Sequence, residues 1–446
     1  MSYLQINLFF FLSIGTIFCS LEVKNKFNFL NNDTKFKRNV KFQSNYYQVY
    51  NSRFTYYQNS KPSIKNFNDE QNYRKKRMVL SFIDRKWNLI IPYYVDVGVN
   101  HDIVDLALRI IQQETCIKFI KYSTMIPNTS GIRFYKGKGC FGSIGKRRGN
   151  VWQNISIGVN CDSVGIIQHE TIHSLGFYHA HCRFDRNKYL SLKKKNIECG
   201  HYESFNKVDI LDSKTFGIPI DFGSVMMYSI WEFSSNNNKT IIPYDRNYEK
   251  TMGNVETITF NDGKMINFYY CRNYCEKKIK CMNGGYQDPN DCDKCKCVEG
   301  FSRRWCHFLP YISRKCGNLV LLAKEKKMFL KLYGENECVY HIFSHNNEKI
   351  ALFVAKSRFY PNKKKQCFKN NSLEIKYWED KTSTGALFCL SDDNILIVTQ
   401  NHHAMVYYRS NYELNYFKIM FKSVVKKYDY FNLKKEFLKE KLRLGF

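Results

Sequence analysis

The chain has 446 residues, too many for one compact core, so about two to four domains are expected. A hydrophobic fraction of 44% excludes general disorder. The formal charge of +29 comes from 69 Lys and Arg against 40 Asp and Glu, but the lysines are spread through every region without a nucleic-acid-binding motif; a nucleic-acid binder is excluded, and affinity for sulfated matrix glycans stays open.

Ile6 to Phe18 is an apolar run of signal-peptide length that ends at the small residues Cys19 and Ser20. Residues 1–20 are therefore expected to be a signal peptide and the mature protein to be secreted and extracellular. The rival reading is a membrane anchor, for which the run is short, and no other stretch is apolar enough to be a transmembrane segment. Losing Cys19 leaves sixteen of the seventeen cysteines, an even number that suits a fully bridged chain in the oxidising secretory route. Residues 21–77 contain no cysteine, show little periodicity and end in Arg74-Lys75-Lys76-Arg77. They read as a pro-segment, cleaved after Arg77, of a protein made as a zymogen.

From Met78 the pattern turns globular, and residues 78–271 read as one mixed α/β domain. A first strand is expected over Trp87–Val95 and a helix over Ile103–Glu114, with Ile103, Leu106, Ile110 and Ile111 at helical spacing. Short strands are expected at 132–135 and 155–157, and a second helix from Val164 to Leu175. Six cysteines then crowd between Cys275 and Cys306, in too little chain to build a core without disulfides. From Cys316 to about Ser423 short β runs recur (Val320, Met328, Ile350, Leu373, Ile395 and Tyr416 open them), the pattern of a β-sandwich. A basic tail, 424–446, is left; from Tyr430 onward it reads as an amphipathic helix or as irregular chain. The expected fold class is α+β.

The segment that carries chemistry is His169-Glu170-Thr-Ile-His173-Ser-Leu-Gly176-Phe-Tyr-His179. On a helix, His169 and His173 project from one face and can grip one zinc ion. Gly176 can take up a left-handed backbone, ending the helix and turning the chain so that His179 supplies a third ligand. Three neutral imidazoles leave a position for water, the open arrangement of catalytic rather than structural zinc. Glu170, beside the first ligand, is placed to take the proton from that water and pass it to a leaving amine. The reaction expected is amide hydrolysis without a covalent intermediate.

The run continues His181-Cys182-Arg183-Phe184-Asp185-Arg186, and further on stands Ser224-Val225-Met226-Met227-Tyr228. Together these resemble the metzincins and, within them, the astacins, whose zinc metalloendopeptidase domain implies a twisted mixed sheet with a long active-site helix. The resemblance implies that Met226 is the Met-turn residue beneath the metal. It also implies that Tyr228 binds zinc at rest and swings away to stabilise the oxyanion. Two departures stand out. Ala180 replaces the usual glutamate that contacts the mature N-terminus, and Met227 replaces a histidine. Astacin pro-segments commonly place an aspartate on zinc within Phe-x-Gly-Asp; here only Phe67-Asn68-Asp69-Glu70 occurs, so Asp69 or Glu70 is the candidate latency ligand.

The resemblance implies bridges Cys116–Cys271 and Cys140–Cys161 in the catalytic domain, and an extra bridge Cys182–Cys199 is expected from the two cysteines remaining there. Residues 272–307 resemble an EGF-like domain, implying Cys275–Cys292, Cys281–Cys295 and Cys297–Cys306. Residues 316–423 resemble a CUB domain, implying Cys316–Cys338 and Cys367–Cys389. Sequons for glycosylation stand at Asn32, Asn128, Asn154, Asn238 and Asn370. Asn154 falls in the segment expected to be the edge strand along which substrates extend. The leading expectation is one Zn2+ per catalytic domain and extracellular protein or peptide substrates. The alternative is an inactive extracellular binding protein acting through its EGF-like and CUB modules. Retention of all three histidines, Glu170 and Tyr228 favours the enzyme.

Overall fold

The computed structural model describes residues 77–80, 85–210, 213–309, 314–345, 348–361, 366–425 and 427–445. The expected signal peptide, Asn32, Asp69, Glu70 and nearly all of the pro-segment lie outside the described residues.

The first part of the chain runs through β1 (Arg77–Leu80), β2 (Ile90–Val95), α1 (His101–Glu114), β3 (Lys118–Lys121), β4 (Gly131–Tyr135), β5 (Cys140–Gly142), β6 (Trp152–Ile157) and α2 (Val164–Ser174). Five strands form one sheet in the order β3-β2-β4-β6-β5, parallel except for the antiparallel β5. Period-two alternation along β2 buries Ile91, Tyr93 and Val95. Helix α1 starts where the Asn100 side chain accepts from the Asp102 and Ile103 N–H groups. Its buried stripe is Val104, Ala107, Leu108 and Ile111, so Leu106 faces outward, contrary to expectation.

The expected edge strand is also corrected. β6 is interior, with β4 on one side and β5 on the other, and the outer position belongs to the three-residue β5. The open end of the β5–β6 pair is drawn together, because the Gly158 N–H donates to the Gly139 carbonyl at 2.9 Å and the Cys140–Cys161 disulfide bridges the same end. A side chain at Gly158 would come within 2.3 Å of the Gly139 nitrogen.

Next come β7 (Leu190–Leu192), β8 (Ser213–Thr215), β9 (Ile241–Pro243) and α3 (Phe260–Tyr270); β7 pairs with β9, and β8 with β1. Cys116–Cys271 ties the end of α3 to the chain between α1 and β3. A small ladder, β10 (Tyr286–Gln287) and β11 (Cys295–Lys296), is held by Cys275–Cys292, Cys281–Cys295 and Cys297–Cys306.

Two further sheets follow, built from β12 (Val320–Leu322), β13 (Met328–Tyr333), β14 (Asn336–Phe343), β15 (Lys349–Arg358), β16 (Ser372–Lys376), β17 (Ala386–Phe388), β18 (Ser391–Val398), β19 (His403–Ser410) and β20 (Tyr416–Val424). Their orders are β12-β14-β19-β16-β17 and β13-β20-β15-β18. Tyr340, Leu352, Val354, Tyr408 and Phe417 fill the space between them, making a sandwich with bridges Cys316–Cys338 and Cys367–Cys389. The tail forms α4 (Tyr430–Arg443), whose Leu433 and Phe437 cover Ala351, Phe353 and Met420 on the sandwich's outer face. The overall class is α+β.

The expected Cys182–Cys199 bridge does not form. Cys182 is a free, buried thiol, its Sγ 3.3 Å from His181 Nε2 and 3.4 Å from the Ser204 carbonyl. Cys199 lies at the exposed surface. Packing of the Cys182 thiol into the interior, against His181 and Ser204, keeps it from its expected partner. Among the described residues no helix is long and apolar enough to cross a membrane.

Candidate metal centre

Helix α2 carries His169 and His173 one turn apart, and the chain behind it returns His179 to the same point. Gly176 makes the return possible. Its φ of +101° ends the helix, and its N–H caps the His173 carbonyl at 2.8 Å. The Ala180 N–H then donates to the Met226 carbonyl at 2.7 Å, fixing the residue after His179. As a result His179 Nε2 lies 3.1 Å from His169 Nε2 and 3.0 Å from His173 Nε2.

Whether these three nitrogens suit a metal is decided by where their protons sit. His169 Nδ1 is 2.6 Å from the Val225 carbonyl and His173 Nδ1 is 2.8 Å from the Phe177 carbonyl. A carbonyl only accepts, so both Nδ1 atoms carry the proton and both Nε2 atoms present lone pairs. Burial lowers the pKa of all three rings, that of His173 to about 3, with neighbouring imidazoles adding to the effect at His173 and His179. The rings are therefore neutral at pH 7. At most one shared proton, from His179, can separate three converging lone pairs, and a cation removes the remaining repulsion. The spacing suits ligands each about 2 Å from a shared zinc ion. The residues fit the metal.

Glu170 points into the same space. Its carboxylate accepts from the Gly142 N–H at the end of β5, while Oε2 is buried without a hydrogen-bond partner. Burial pushes its pKa up to about 8, against the smaller opposing effect of that N–H. The Tyr228 ring packs against two imidazoles that also stack on each other, with its centroid 4.0 Å from that of His181 and 4.3 Å from that of His179. Cys140, Ile166, His169, Glu170, Tyr228 and Glu232 line a cleft of about 180 Å³.

Met226, Met227 and Ala180 are all buried in apolar surroundings. The turn holding Met226 has a support that sequence reasoning missed. Asp262 accepts from Ser224 Oγ at 2.5 Å and from the Val225 N–H at 3.2 Å, and it closes the capping box of α3 with Thr259. The spacing Thr259-x-x-Asp262 was the available signal. Behind the site, Arg183 forms a forked, buried pair with Asp185 at 2.8 and 2.9 Å, and Arg186 donates to the His181 carbonyl at 3.0 Å. The sequons at Asn128, Asn154, Asn238 and Asn370 are all exposed.

Residues 79–271 match the model of the astacin family of peptidases. Zinc metalloproteinase nas-34 of Caenorhabditis elegans is 34% identical over 350 residues, which cover 77% of this chain and 57% of that protein. Zinc metalloproteinase dpy-31 of Haemonchus contortus is 32% identical over 254 residues, covering 55% of this chain and 46% of that one. The chain thus spans about half the length of the curated relatives it matches. Among solved structures, high choriolytic enzyme 1, a hatching enzyme zinc-protease from Oryzias latipes, is 28% identical, covers 42% of this chain and 94% of that chain, and gives a TM-score of 0.38.

Proposed function

Because residues 79–271 are an astacin-family zinc metalloprotease domain, we propose that the protein is a secreted endopeptidase acting on extracellular proteins. The convergence of three imidazole Nε2 atoms, with His179 3.0 and 3.1 Å from the other two, beside the unpartnered oxygen of Glu170, carries this reading. His169, His173 and His179 would hold the ion. When bound, zinc supplies a Lewis acid that polarises the scissile carbonyl and acidifies a water molecule.

The chain's own groups do the rest. The outer edge of β5 receives an extended substrate through main-chain hydrogen bonds. Glu170 takes a proton from the attacking water and delivers it to the leaving nitrogen; a carboxyl whose burial favours the protonated form suits that transfer. The Tyr228 hydroxyl donates to the oxygen on which negative charge develops, and its ring is steered by His179 and His181. Met226 supports the site from beneath. In the same proposal residues 1–20 are removed on export, cleavage after Arg77 releases the enzyme, and Asp69 or Glu70 blocks the metal beforehand. Residues 272–307 and 316–423 are EGF-like and CUB-like modules that direct the protease to its substrates.

The test is to express the chain, cleave after Arg77, and assay a denatured protein with and without a chelator. Glu170→Ala should bind zinc normally yet hydrolyse about 10²- to 10⁴-fold more slowly. Equal rates for wild type and variant, or activity indifferent to chelation, would defeat the proposal.

A further inference from the structure

The β-sandwich touches the wall of the cleft directly. The strip Gly253-Asn254-Val255 lines the cleft together with His169 and Glu170. From behind, this strip is gripped by the loop that precedes β16. The Lys369 N–H donates to Glu256 Oε2 at 2.7 Å, the Gln366 amide donates to the Gly253 carbonyl, and the Cys367 N–H donates to the Lys250 carbonyl at 2.9 Å. The Cys367–Cys389 bridge anchors that loop to the sandwich.

From the front, the same strip lies against the zinc-binding helix. Val255 crosses so close to Gly165 that a side chain there would meet the Val255 carbonyl at 2.0 Å. The Ile258 N–H and the Thr257 hydroxyl both donate to Gln168 Oε1, at 2.9 and 3.1 Å, and Gln168 precedes His169. Asn254 also donates to the Gly223 carbonyl at 2.8 Å, ahead of the Met226 turn. Gly223 in turn sits under Thr384 of the sandwich, whose N–H donates to Asp221 at 3.1 Å.

We infer that the 366–369 loop of the sandwich is a positioning element for the substrate cleft, acting through the hydrogen bond from the Lys369 backbone to Glu256 on the wall between that loop and α2. This rests on the proteolytic reading of the cleft and extends it: the sandwich sets the width of the site as well as any binding of its own. The wall is a strip of backbone without a regular element of its own, so its position depends on what holds both faces. Releasing one face should loosen substrate binding and leave the zinc ligands, which are held by α2 and its glycine turn, in place.

Lys369→Pro isolates the contact. Lys369 opens the short 3-10 turn Lys369–Asn371, a position that accepts proline, and Phe368 before it is already extended at φ −100° and ψ 138°. The variant thus deletes the N–H donor within a backbone that can hold proline. Lys369→Ala removes the side chain, including its 3.1 Å pairing with Glu299, and keeps the N–H. With the full chain activated at Arg77 and a fluorogenic peptide as substrate, Lys369→Pro should lower kcat/KM roughly tenfold, mainly by raising KM, at unchanged zinc content. Lys369→Ala should match wild type. Glu256→Ala should behave like the proline variant, and Glu256→Gln, whose amide oxygen still accepts, should restore binding. If Lys369→Pro fails to fold, the Glu256 pair decides. Wild-type kcat/KM in Lys369→Pro and in Glu256→Ala, or equal damage from Lys369→Ala, overturns the inference. A wild-type chain without chelator-sensitive proteolysis instead overturns the function proposed above.

Discussion

Asp262 makes no contact with the zinc ligands, yet its removal should weaken the metal site. Its carboxylate holds the Val225 N–H, and the Val225 carbonyl orients His169. In Asp262→Ala the Val225 N–H loses its acceptor in a buried setting and the Thr259 N–H loses it in a partly buried one. Stranding each costs about 1–3 kcal/mol, about 4 kcal/mol together. Part of this is offset, because burial and then Asp221 push the Asp262 pKa up to about 6, so the ionised group is itself costly at neutral pH. A net loss of about 2 kcal/mol follows, which for a domain of this size lowers Tm by roughly 4–8 °C. Letting the Val225 carbonyl drift should weaken zinc binding about tenfold or more, as other losses of a ligand's outer partner do. Asp262→Asn retains one oxygen for the backbone donors and should fall between. The pH dependence adds a signature. The folded pKa lies above the unfolded one, so the native state gains a proton as pH falls from about 6 to about 4, and wild type should gain stability there relative to Asp262→Asn. Competition against a chromophoric chelator reads the zinc affinity, and calorimetry reads the melting. Wild-type zinc affinity in Asp262→Ala would refute the reasoning.

Tyr228→Phe should keep zinc content and KM while lowering kcat by about 10²-fold, since only the oxyanion donor is lost; steady-state kinetics with metal analysis decides it, and an unchanged kcat removes Tyr228 from the reaction. Glu374 is fully buried, and although burial opposes ionisation, Lys376 and then Arg409, at 2.8 Å, hold its pKa down to about 2. Its contribution, on the order of 3 kcal/mol, is present above pH about 4.5 and lost as pH falls toward 2, so acid melting curves of wild type and Glu374→Gln should converge; parallel curves would contradict this. Alkylation under denaturing, non-reducing conditions should label Cys182, and Cys182→Ala should melt within a few degrees of wild type; a protected Cys182 would restore the bridge that the structure lacks.

What the sequence made legible followed from strong local periodicity or fixed spacing. Helix α2, expected over 164–175, runs from Val164 to Ser174, and α1 starts two residues earlier than expected, at the cap supplied by Asn100. The histidines were legible because i, i+4 spacing and a glycine turn dictate where three rings can meet. Less was legible where tertiary contact overrides pattern. β5 has three residues, two of them exposed, and exists because a disulfide and two glycines fold it onto β6. Helix α3 has a weak apolar face, with Asn261, Asp262 and Asn267 all buried, so its capping box was a better signal than its hydrophobicity. Cysteine parity suggested Cys182–Cys199, but parity carries no information about which thiol the fold buries. The tail's two possibilities were decided by Leu433 and Phe437, which find an apolar patch on a sheet that no local reading of the tail could supply.

The metal centre depends on an unusual helix end. A helix leaves its last carbonyls unsatisfied, and burying them costs free energy unless other donors arrive. Here α2 must stop inside the protein so that His179 can come back to His173. The His173 carbonyl accepts from the Gly145 and Gly176 N–H groups, the Ser174 carbonyl from the Trp87 indole at 2.8 Å, and the Leu175 carbonyl from the Tyr270 hydroxyl at 2.8 Å. The donors come from four separate places: the start of the domain, the loop after β5, the glycine turn and the end of α3. Trp87, which as sequence reads only as the opening of a strand, is therefore part of the stop. Three ligands can meet because the whole domain supplies the donors that allow α2 to end where it does, and this explains why an eleven-residue motif needs a domain around it to become a metal site.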